Sequence, residues 1–164
     1  MLPHLDAAYN LARWLTGSAQ DADDMVQDAY VRALTFFGGF HGDDGRAWLL
    51  AIIRNTCYDW LRRNQRSIQL QAAPEELDFA ADAAPDPELQ QLRQADRRLL
   101  EKGMLELPPE YREVLVLREL EGLSYKQIAR VTEMPIGTVM SRLARARKRL
   151  QAALAPAGKK EGIA

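Results

Sequence analysis

The chain has 164 residues, 47% of them hydrophobic, with 22 basic and 23 acidic side chains and a formal net charge of −1. This composition is ordinary for a globular protein with one medium domain or two small ones, and it excludes a wholly disordered chain. The single cysteine, Cys57, excludes a disulfide framework and a cysteine-rich zinc module. No apolar run approaches the roughly 20 residues of a membrane span, and the N-terminus lacks the pattern of a signal peptide. We therefore expect a soluble chain in the reducing cytoplasm.

The overall neutrality hides an uneven distribution of charge. The net charge is −1 over residues 1–66, −4 over residues 67–100 and +3 over residues 101–154. Between Pro135 and Lys160 the chain contains no acidic residue. Such a local concentration of one sign says more about binding partners than the overall charge does.

The acidic middle of the chain is also rich in proline, alanine and aspartate and has weak periodicity. We interpret residues 67–95 as a flexible linker, in which helix resumes near Leu89. No stretch alternates apolar and polar residues as a strand would, so the class is all-α. The chain then divides into two small helical domains, residues 1–66 and residues 96–154, followed by a basic tail at residues 155–164.

Two helices are predicted at the start of the chain. The first covers about Leu5–Thr16 and ends at Gly17, which favours a C-terminal stop. Ser18 or Asp21 caps the second, whose early acids suit the positive end of a helix dipole. Apolar residues at three- and four-residue steps predict its buried face: Val26, Ala29, Tyr30, Ala33, Leu34 and Phe37.

A second stripe on the same helix consists of Asp24, Gln27, Asp28 and Val31. The two acids stand four residues apart, so they repel each other by a few tenths of a kcal/mol, which Arg32 partly relieves. This stripe is either a solvated face or a docking surface for a basic partner helix.

A glycine-rich loop with aromatic residues follows this helix. Phe40 stands within it, next to Phe36 and Phe37. These rings either complete a core or form a pocket for an unpaired base. His41 has no companion at ligand spacing, so we expect no metal site here.

A long third helix runs from a cap at Asp43 or Asp44 to about Arg66. One of its faces combines arginines, an amide and an aromatic ring: Arg54, Asn55, Tyr58, Arg62 and Arg63. This mixture suits nucleic acid, because arginine pairs with phosphate, asparagine reads base edges and aromatic rings stack unpaired bases. Asp59 lies among these residues, and the simpler interpretation of it is an ion pair with Arg62 or Arg63. Cys57 falls on the apolar face without a nearby histidine, which argues against a nucleophile.

The C-terminal domain shows a helix-turn-helix pattern. A helix opens at Leu107–Glu110 and ends at Gly122, and a short helix with Ser124 as its N-cap follows. The predicted apolar face of the first of these helices is Tyr111, Val114, Leu115, Leu117 and Leu120. A turn at residues 133–135 then leads to the second helix of the motif.

This second helix has two distinct faces. Its apolar residues Val139, Leu143, Ala146 and Leu150 are spaced 4, 3 and 4 apart and should face the core. Polar and basic residues occupy the rest of the surface: Thr138, Ser141, Arg142, Arg145, Arg147, Lys148 and Arg149. The early residues of a recognition helix meet base edges and the later basic residues meet phosphates. We therefore predict that this domain binds duplex DNA.

Both halves of the chain resemble a bacterial sigma-70-type sigma factor of the compact extracytoplasmic function (ECF) group. Segment 21–34 resembles the helix of that family that docks on core RNA polymerase. Trp48-Leu49 with segment 53–63 resembles the helix that melts and reads the −10 element. Leu107-Pro108 and segments 123–129 and 137–147 resemble the domain that reads the −35 element. Helix-turn-helix motifs alone are weak evidence, but three ordered motifs separated by an acidic linker are strong.

The resemblance implies specific roles. Asp24, Gln27 and Asp28 would dock on the clamp helices of the polymerase β′ subunit. The −10 region would be contacted by Phe40, Arg54, Asn55, Tyr58, Arg62 and Arg63. Thr138, Ser141, Arg142 and Arg145 would face the −35 major groove, and the β flap of the polymerase would be a further partner.

The resemblance further implies a non-enzymatic promoter-specificity subunit with a cognate anti-sigma factor, which could hold it at the inner membrane. It implies no cofactor, no metal and no small-molecule substrate. Two rival hypotheses are a stand-alone helix-turn-helix regulator and a small helical enzyme. The first normally dimerises to match two half-sites, and no heptad-like dimer helix is evident. For the second, His4, His41 and Cys57 offer no recognisable acid–base constellation.

The chain departs from the family pattern at two positions of the motif. Thr132-Glu133 stands where the family usually has Leu-Gly before the turn. A left-handed turn conformation without glycine costs roughly 1 kcal/mol. Met140 occupies a position that is commonly basic, so one phosphate contact is expected to be missing.

Overall fold

The computed structural model describes residues 4–36, 44–64 and 87–155, and the elements in these ranges are all helical. This confirms the predicted all-α class. In chain order the helices are α1 (Leu5–Thr16), α2 (Ala19–Phe36), α3 (Gly45–Arg63), α4 (Pro87–Glu106), α5 (Pro109–Leu115), a π-helical turn (Val116–Leu120), α6 (Tyr125–Thr132) and α7 (Ile136–Leu154). Within the described ranges, no helix is long and apolar enough to cross a membrane.

Helices α1, α2 and α3 pack against one another as a three-helix bundle. The turn between α1 and α2 is as predicted. Gly17 adopts a left-handed conformation (φ 77°), and its N–H donates to the Arg13 carbonyl at 2.8 Å. Ser18 is the cap of α2, since its Oγ accepts the Asp21 N–H at 3.3 Å. Local signals therefore fix both ends of the tight α1–α2 connection.

The buried face of α2 is close to the predicted one, with one error. Ala22, Met25, Val26, Ala29 and Ala33 are buried. The prediction that Leu34 is buried was wrong, because 67% of this residue is exposed. Leu34 lies seven residues after Gln27, which places it on the face of the acidic stripe. The predicted core residue Phe37 lies outside the described residues.

Helix α3 begins where the sequence predicts and ends slightly earlier. Asp44 is the N-cap, and its Oδ1 accepts the Ala47 N–H at 3.0 Å. The helix ends at Arg63 rather than at Arg66, because Asn64 departs from helical geometry and its side-chain amide donates to the Trp60 carbonyl at 2.9 Å. Asparagine bonds to nearby backbone in this way and thereby competes with helix continuation.

Helix α4 connects the linker region to the C-terminal helices. It begins at Pro87, two residues before the predicted position, and the predicted boundary between residues 95 and 96 falls inside it. Its C-terminal end packs on α7 through Gly103, where a Cβ would lie 3.3 Å from side-chain atoms of Leu150 and Leu154. The small residue therefore permits the close approach of the two helices.

Helix α5 and the π-helical turn precede the helix-turn-helix in the chain. Leu107, Val114, Leu115 and Leu117 are buried, whereas the prediction for Leu120 was wrong because 56% of this residue is exposed. A π-helical turn adds one residue per turn, so it rotates the residues after it away from the face that α-helical spacing predicts. Gly122 then ends the segment with φ 68°.

Helices α6 and α7 complete the helix-turn-helix. Ser124 and Gln127 form a capping box at the start of α6, with the Ser124 Oγ accepting the Gln127 N–H at 3.1 Å and the Gln127 Oε1 accepting the Ser124 N–H at 2.9 Å. Glu133 ends α6 in a left-handed conformation (φ 55°, ψ 38°). On α7, Val139, Leu143 and Ala146 are buried and Leu150 packs against the core, as predicted.

Candidate nucleic-acid interfaces

The acidic stripe of α2 lies at the surface. Asp24 and Gln27 are exposed, and Asp28 is partly exposed beside Arg32, with 3.6 Å between the Arg32 Nη2 and the Asp28 Oδ2. Arg32 also bonds to Asp59 of α3 at 3.3 Å. Arg32 therefore relieves the repulsion within the stripe, as predicted, and ties α2 to α3.

Apolar side chains continue this stripe towards the end of α2. Val31 and Leu34 are both largely exposed. Phe36 is exposed too, but it lies about 180° around the helix from Gln27. The sequence interpretation missed Leu34 as a surface residue, although the seven-residue step from Gln27 carried the signal. The stripe is thus acidic at one end and apolar at the other, which suits a partner helix with both basic and apolar residues.

The polar face of α3 is divided between exposed and covered residues. Asn55, Arg62 and Arg63 are exposed. Arg62 bonds to Asp59, so the simpler interpretation of Asp59 is confirmed. Although burial acts in the opposite direction, the hydrogen bonds from Arg62 and Arg32 lower the pKa of the Asp59 carboxyl below its ordinary value.

Arg54 and Tyr58, in contrast, are covered by the C-terminal helices. The Arg54 Nε and Nη2 donate to the two carboxylate oxygens of Glu113 at 2.6 and 3.2 Å. The Tyr58 ring lies 4.5 Å from the Arg54 guanidinium carbon, and its hydroxyl is buried. Burial raises the pKa of the Tyr58 phenol above its ordinary value.

Glu113 of α5 has no exposed side-chain surface, while 18% of the Arg54 side chain remains exposed. Burial raises the pKa of the Glu113 carboxyl, against the opposing effect of the hydrogen bonds from Arg54. Burial alone would lower the pKa of Arg54, but the bonded Glu113 raises it. The pair is therefore a bidentate ion pair at the contact between α3 and α5.

The recognition face of α7 lines an open cleft of about 350 Å³ against the start of α5. The α7 residues in this cleft are Thr138, Ser141, Arg142, Arg145 and Arg149. From the other side it is lined by Pro108, Glu110 and Tyr111, and the Arg149 guanidinium carbon lies 4.9 Å from the centre of the Tyr111 ring. The structure thus brings together five of the seven residues predicted on this helix.

The remaining two predicted residues of α7, Arg147 and Lys148, are exposed but do not line the cleft. Arg147 donates from Nε and Nη2 to the Glu119 Oε1 at 2.9 and 2.7 Å. Tyr111 packs against the core as predicted and also lines the cleft, whereas the sequence interpretation gave Glu110 no role. The proline pair before these two residues starts α5 at the edge of the cleft, and it was the signal in the sequence for their position there.

The sequence analysis also considered a metal site and a nucleophilic Cys57 thiol. No group of three or more metal-ligating side chains occurs among the described residues. Cys57 is buried, and this burial raises the pKa of its thiol to about 12. A thiol with so high a pKa is a poor nucleophile at neutral pH. Phe40 and His41 lie outside the described residues.

Comparison with known protein families identifies both halves of the chain. The family model described as "Sigma-70 region 2" matches residues 2–67. The model described as "Sigma-70, region 4" matches residues 97–150. The first match covers the α1–α3 bundle and the second covers the C-terminal helices. Residues 68–96 lie between the two matches and overlap all but the first residue of the predicted linker, residues 67–95.

Curated relatives are similar over most of this chain. The ECF RNA polymerase sigma factor SigE of Mycolicibacterium smegmatis is 36% identical over 155 residues, covering 93% of this chain and 59% of that protein. The RNA polymerase sigma-H factor of Pseudomonas aeruginosa is 37% identical over 145 residues, covering 84% of this chain and 75% of that protein. The ECF RNA polymerase sigma-E factor of Escherichia coli K12 is 34% identical over 143 residues, with 83% and 75% covered. This chain therefore spans about three fifths of the length of SigE and three quarters of the other two.

Two solved structures share the fold. The sigma factor RpoE in complex with the anti-sigma factor NepR from Bartonella quintana superposes with a TM-score of 0.72 at 31% identity, covering 93% of this chain and 92% of that one. CnrH in complex with the cytosolic domain of CnrY gives a TM-score of 0.63 at 30% identity, with 93% and 83% covered. The similarity thus extends over nearly the whole of this chain.

Proposed function

Since this chain belongs to the sigma-70 family of RNA polymerase sigma factors, in its ECF group, we propose that it binds core RNA polymerase and directs promoter-specific initiation of transcription. In this role it recognises the −10 element with its N-terminal unit and the −35 element with its C-terminal unit. The observation that carries the proposal is the cleft of α7, where arginines and hydroxyl side chains converge on an open surface.

Recognition of the −35 element is assigned to this cleft. Thr138 and Ser141 lie in the first turns of α7, where a recognition helix meets base edges. Arg142, Arg145 and Arg149 lie further along and meet phosphates, together with Lys148 and Arg147 on the neighbouring surface. No acidic residue stands on this helix to repel the DNA backbone.

Docking on core polymerase is assigned to Asp24, Gln27 and Asp28, on the clamp helices of β′. Their exposure supports this assignment. We extend the docking surface to Val31 and Leu34, because these apolar residues are exposed on the same face of α2. A core of apolar contact beside charged residues is the usual composition of a protein interface. The C-terminal unit is assigned the second contact, on the β flap.

Recognition of the −10 element is assigned to α3 and the loop before it. Asn55, Arg62 and Arg63 are exposed and available to DNA. Arg54 and Tyr58 become available only when α3 separates from α5, and Phe40 lies in the loop outside the described residues. The N-terminal unit has a net charge of −1 and little long-range attraction for DNA. Polymerase docking is therefore what holds this unit against the promoter.

We further assign the chain no catalytic role and a cytoplasmic location. Its functional domains are residues 1–66 and residues 96–154, joined by residues 67–95, with a basic tail at residues 155–164. One structural neighbour is a sigma factor in complex with an anti-sigma factor, and a second is CnrH in complex with the cytosolic domain of CnrY. By analogy, an anti-sigma factor regulates this chain and could retain it at the inner membrane.

In vitro transcription with the purified chain tests the proposal. The assay combines it with core polymerase of its own host, without inhibitor, on DNA from upstream of its own locus. We expect a discrete transcription start that core polymerase alone does not give. Failure to confer any start-site choice, or tight binding of a dimer to this DNA without polymerase, would contradict the proposal.

A further inference from the structure

Helix α7 presents an uncharged stripe to solvent, on the side away from its buried face. The buried residues of this helix are Val139, Leu143 and Ala146. On the other side, residues at steps of three and four are all exposed: Gly137, Met140, Ser141 and Ala144. We call these four residues the outer stripe. It runs along the first turns of the helix, beside the arginines of the cleft.

Met140 has the longest side chain of the outer stripe. Gly137 has no side chain, and a Cβ there would meet no atom within 4 Å. Ser141 is short, and its Oγ donates to the Thr138 carbonyl at 3.1 Å, so its hydroxyl proton is engaged within the helix. Met140 is 51% exposed. The small neighbours therefore let the helix backbone approach a surface closely, with the methionine foremost in the contact.

The position of Met140 gives its exposure a meaning. Single exposed apolar residues are ordinary on protein surfaces and by themselves indicate nothing. Met140, however, lies in the second turn of α7, and the early residues of a recognition helix meet base edges in the major groove. The side chain that the outer stripe brings to those edges is thus an apolar one.

The chemistry of the thioether restricts what Met140 can read. Its sulfur is a weak acceptor and the side chain has no donor, so it does not distinguish bases by hydrogen bonds. The apolar group that the major groove displays is the C5-methyl of thymine, and apolar side chains recognise it by direct contact. A thymine methyl is therefore the base feature that matches Met140.

The flank of α7 that carries Met140 also differs in charge from the flank that lines the cleft. Ile136, four residues before Met140, is 45% exposed. Arg147, seven residues after it, is paired with Glu119 at 2.9 and 2.7 Å. The cleft flank instead carries Arg142, Arg145 and Arg149. Phosphates are thus attracted to the cleft flank, and the Met140 flank is left to apolar contact.

We propose that Met140 is a specificity-determining residue, which reads the 5-methyl group of a thymine in the −35 element by apolar contact. The inference rests on the proposed function and deepens it, because it names one base that recognition requires. Cytosine carries hydrogen where thymine carries this methyl, so the contact favours thymine. It contributes about fourfold in affinity, the value for burial of one methyl-sized group.

Single replacement of thymine by uracil tests the contact, because uracil lacks only the 5-methyl group. The protein is the holoenzyme formed by the natural chain and core polymerase. The DNA is the duplex from upstream of its own locus, with each thymine of the −35 region replaced in turn on either strand. We expect a replacement that lowers the affinity by about fourfold and whose effect depends on Met140.

The variant M140A establishes that dependence. We expect it to bind the thymine duplex several-fold more weakly than the natural chain does, and to lose no further affinity when that thymine becomes uracil. Such non-additivity is the signature of two groups in direct contact. If M140A retains the full loss on uracil at every sensitive thymine, another residue reads the methyl and the inference is overturned.

Two matched controls alter neighbouring groups of α7. T138S removes the methyl of Thr138 and keeps its hydroxyl, so the loss on uracil at the thymine assigned to Met140 should remain. R149A weakens binding to the thymine and uracil duplexes alike, because a phosphate contact does not depend on the base methyl. The ratio of the two affinities should therefore stay at about four. A ratio near one in either control would contradict the assignment to Met140.

The variant M140K tests whether the outer stripe faces DNA. Lysine at this position should add one phosphate contact and steepen the dependence of log K on log salt by about 0.9. It should also abolish the loss on uracil, because the apolar contact is gone. A salt dependence equal to that of the natural chain would contradict the placement of the outer stripe against DNA.

Failure of this inference is distinguishable from failure of the proposed function. If the natural chain confers start-site choice on core polymerase but uracil at each thymine of the −35 region has no effect that depends on Met140, only the thymine contact is wrong. If the natural chain confers no start-site choice, the proposed function is wrong, and the thymine contact is wrong with it.

Discussion

The side-chain amide of Gln127 in α6 donates a hydrogen bond to the Asp44 Oδ2 at the start of α3, at 2.9 Å. The other oxygen of Asp44 accepts the Ala47 N–H, and the carbonyl of the same Gln127 amide accepts the Ser124 N–H. Asp44 and Gln127, which are 83 residues apart in the chain, thus join two helix N-termini in one connected set of bonds. Asp44 therefore has both a local and a tertiary role.

We expect D44A to destabilise the chain by about 1 kcal/mol or more, because it removes a helix cap and leaves the Gln127 amide without this partner. D44N should retain most of the stability, since asparagine is also a good N-cap. Chemical denaturation at neutral pH measures both variants. Equal stabilities of D44A and the natural chain would contradict the role assigned to Asp44.

The same carboxyl makes stability depend on pH. The hydrogen bonds from Ala47 and Gln127 lower the pKa of Asp44 from its ordinary value of 3.8. A lowered folded-state pKa stabilises the fold above pH 3.8, and this contribution is lost as pH falls through the folded value. The stability advantage of the natural chain over D44A should therefore shrink below about pH 4. An advantage that stays constant through this range would exclude the carboxylate as its source.

Reversal of charge on the acidic stripe should abolish polymerase binding. In D24R/D28R, two arginines would face the basic partner surface inferred for the clamp helices. The fold should lose little, because the Asp28–Arg32 pair is largely exposed and such pairs contribute at most about 1 kcal/mol. A pull-down of core polymerase measures the effect.

The control for this prediction is D6R, which reverses the charge of an exposed acid on α1, outside the stripe. We expect D6R to retain polymerase binding. If D24R/D28R binds polymerase as well as D6R does, the stripe is only a solvated face.

The basic residues of α7 should differ in their contribution to DNA binding. R145A should reduce the slope of log K against log salt by about 0.9 in a titration of holoenzyme on promoter duplex, because it removes one phosphate contact. R147A should reduce the slope less, since its guanidinium is already bonded to Glu119. Equal changes in slope would mean that Arg147 leaves Glu119 to bind phosphate.

The turn of the helix-turn-helix carries backbone strain at Glu133, which has φ 55°. Glycine has no Cβ and adopts this conformation freely, so we expect E133G to stabilise the chain by up to about 1 kcal/mol. E133A removes the charge but keeps the Cβ and should not stabilise. Thermal unfolding of both variants separates conformation from charge, and stabilisation by E133A alone would refute the strain argument.

Local chemistry in the sequence determined most of the helices and the recognition surface. Gly17, Ser18, Asp44 and Ser124 cap or end helices where predicted, because each acts on backbone groups within a few residues of itself. The spacing of apolar residues likewise predicted the inward face of α7. Leu34 and Leu120 escaped this reasoning, because both are apolar but fall where the helix faces solvent or where a π-helical turn shifts the register.

The tertiary structure alone decided which polar faces are free. Arg54, Asn55 and Arg62 share one face of α3 by spacing, but only Arg54 finds a buried partner, Glu113, 59 residues away. Helical periodicity fixes which residues lie together on a surface, and it carries no information about what packs on that surface. Contact between distant helices is set by shape, burial and charge over the whole chain, so the contact between α3 and α5 could be recognised only once the helices were in place.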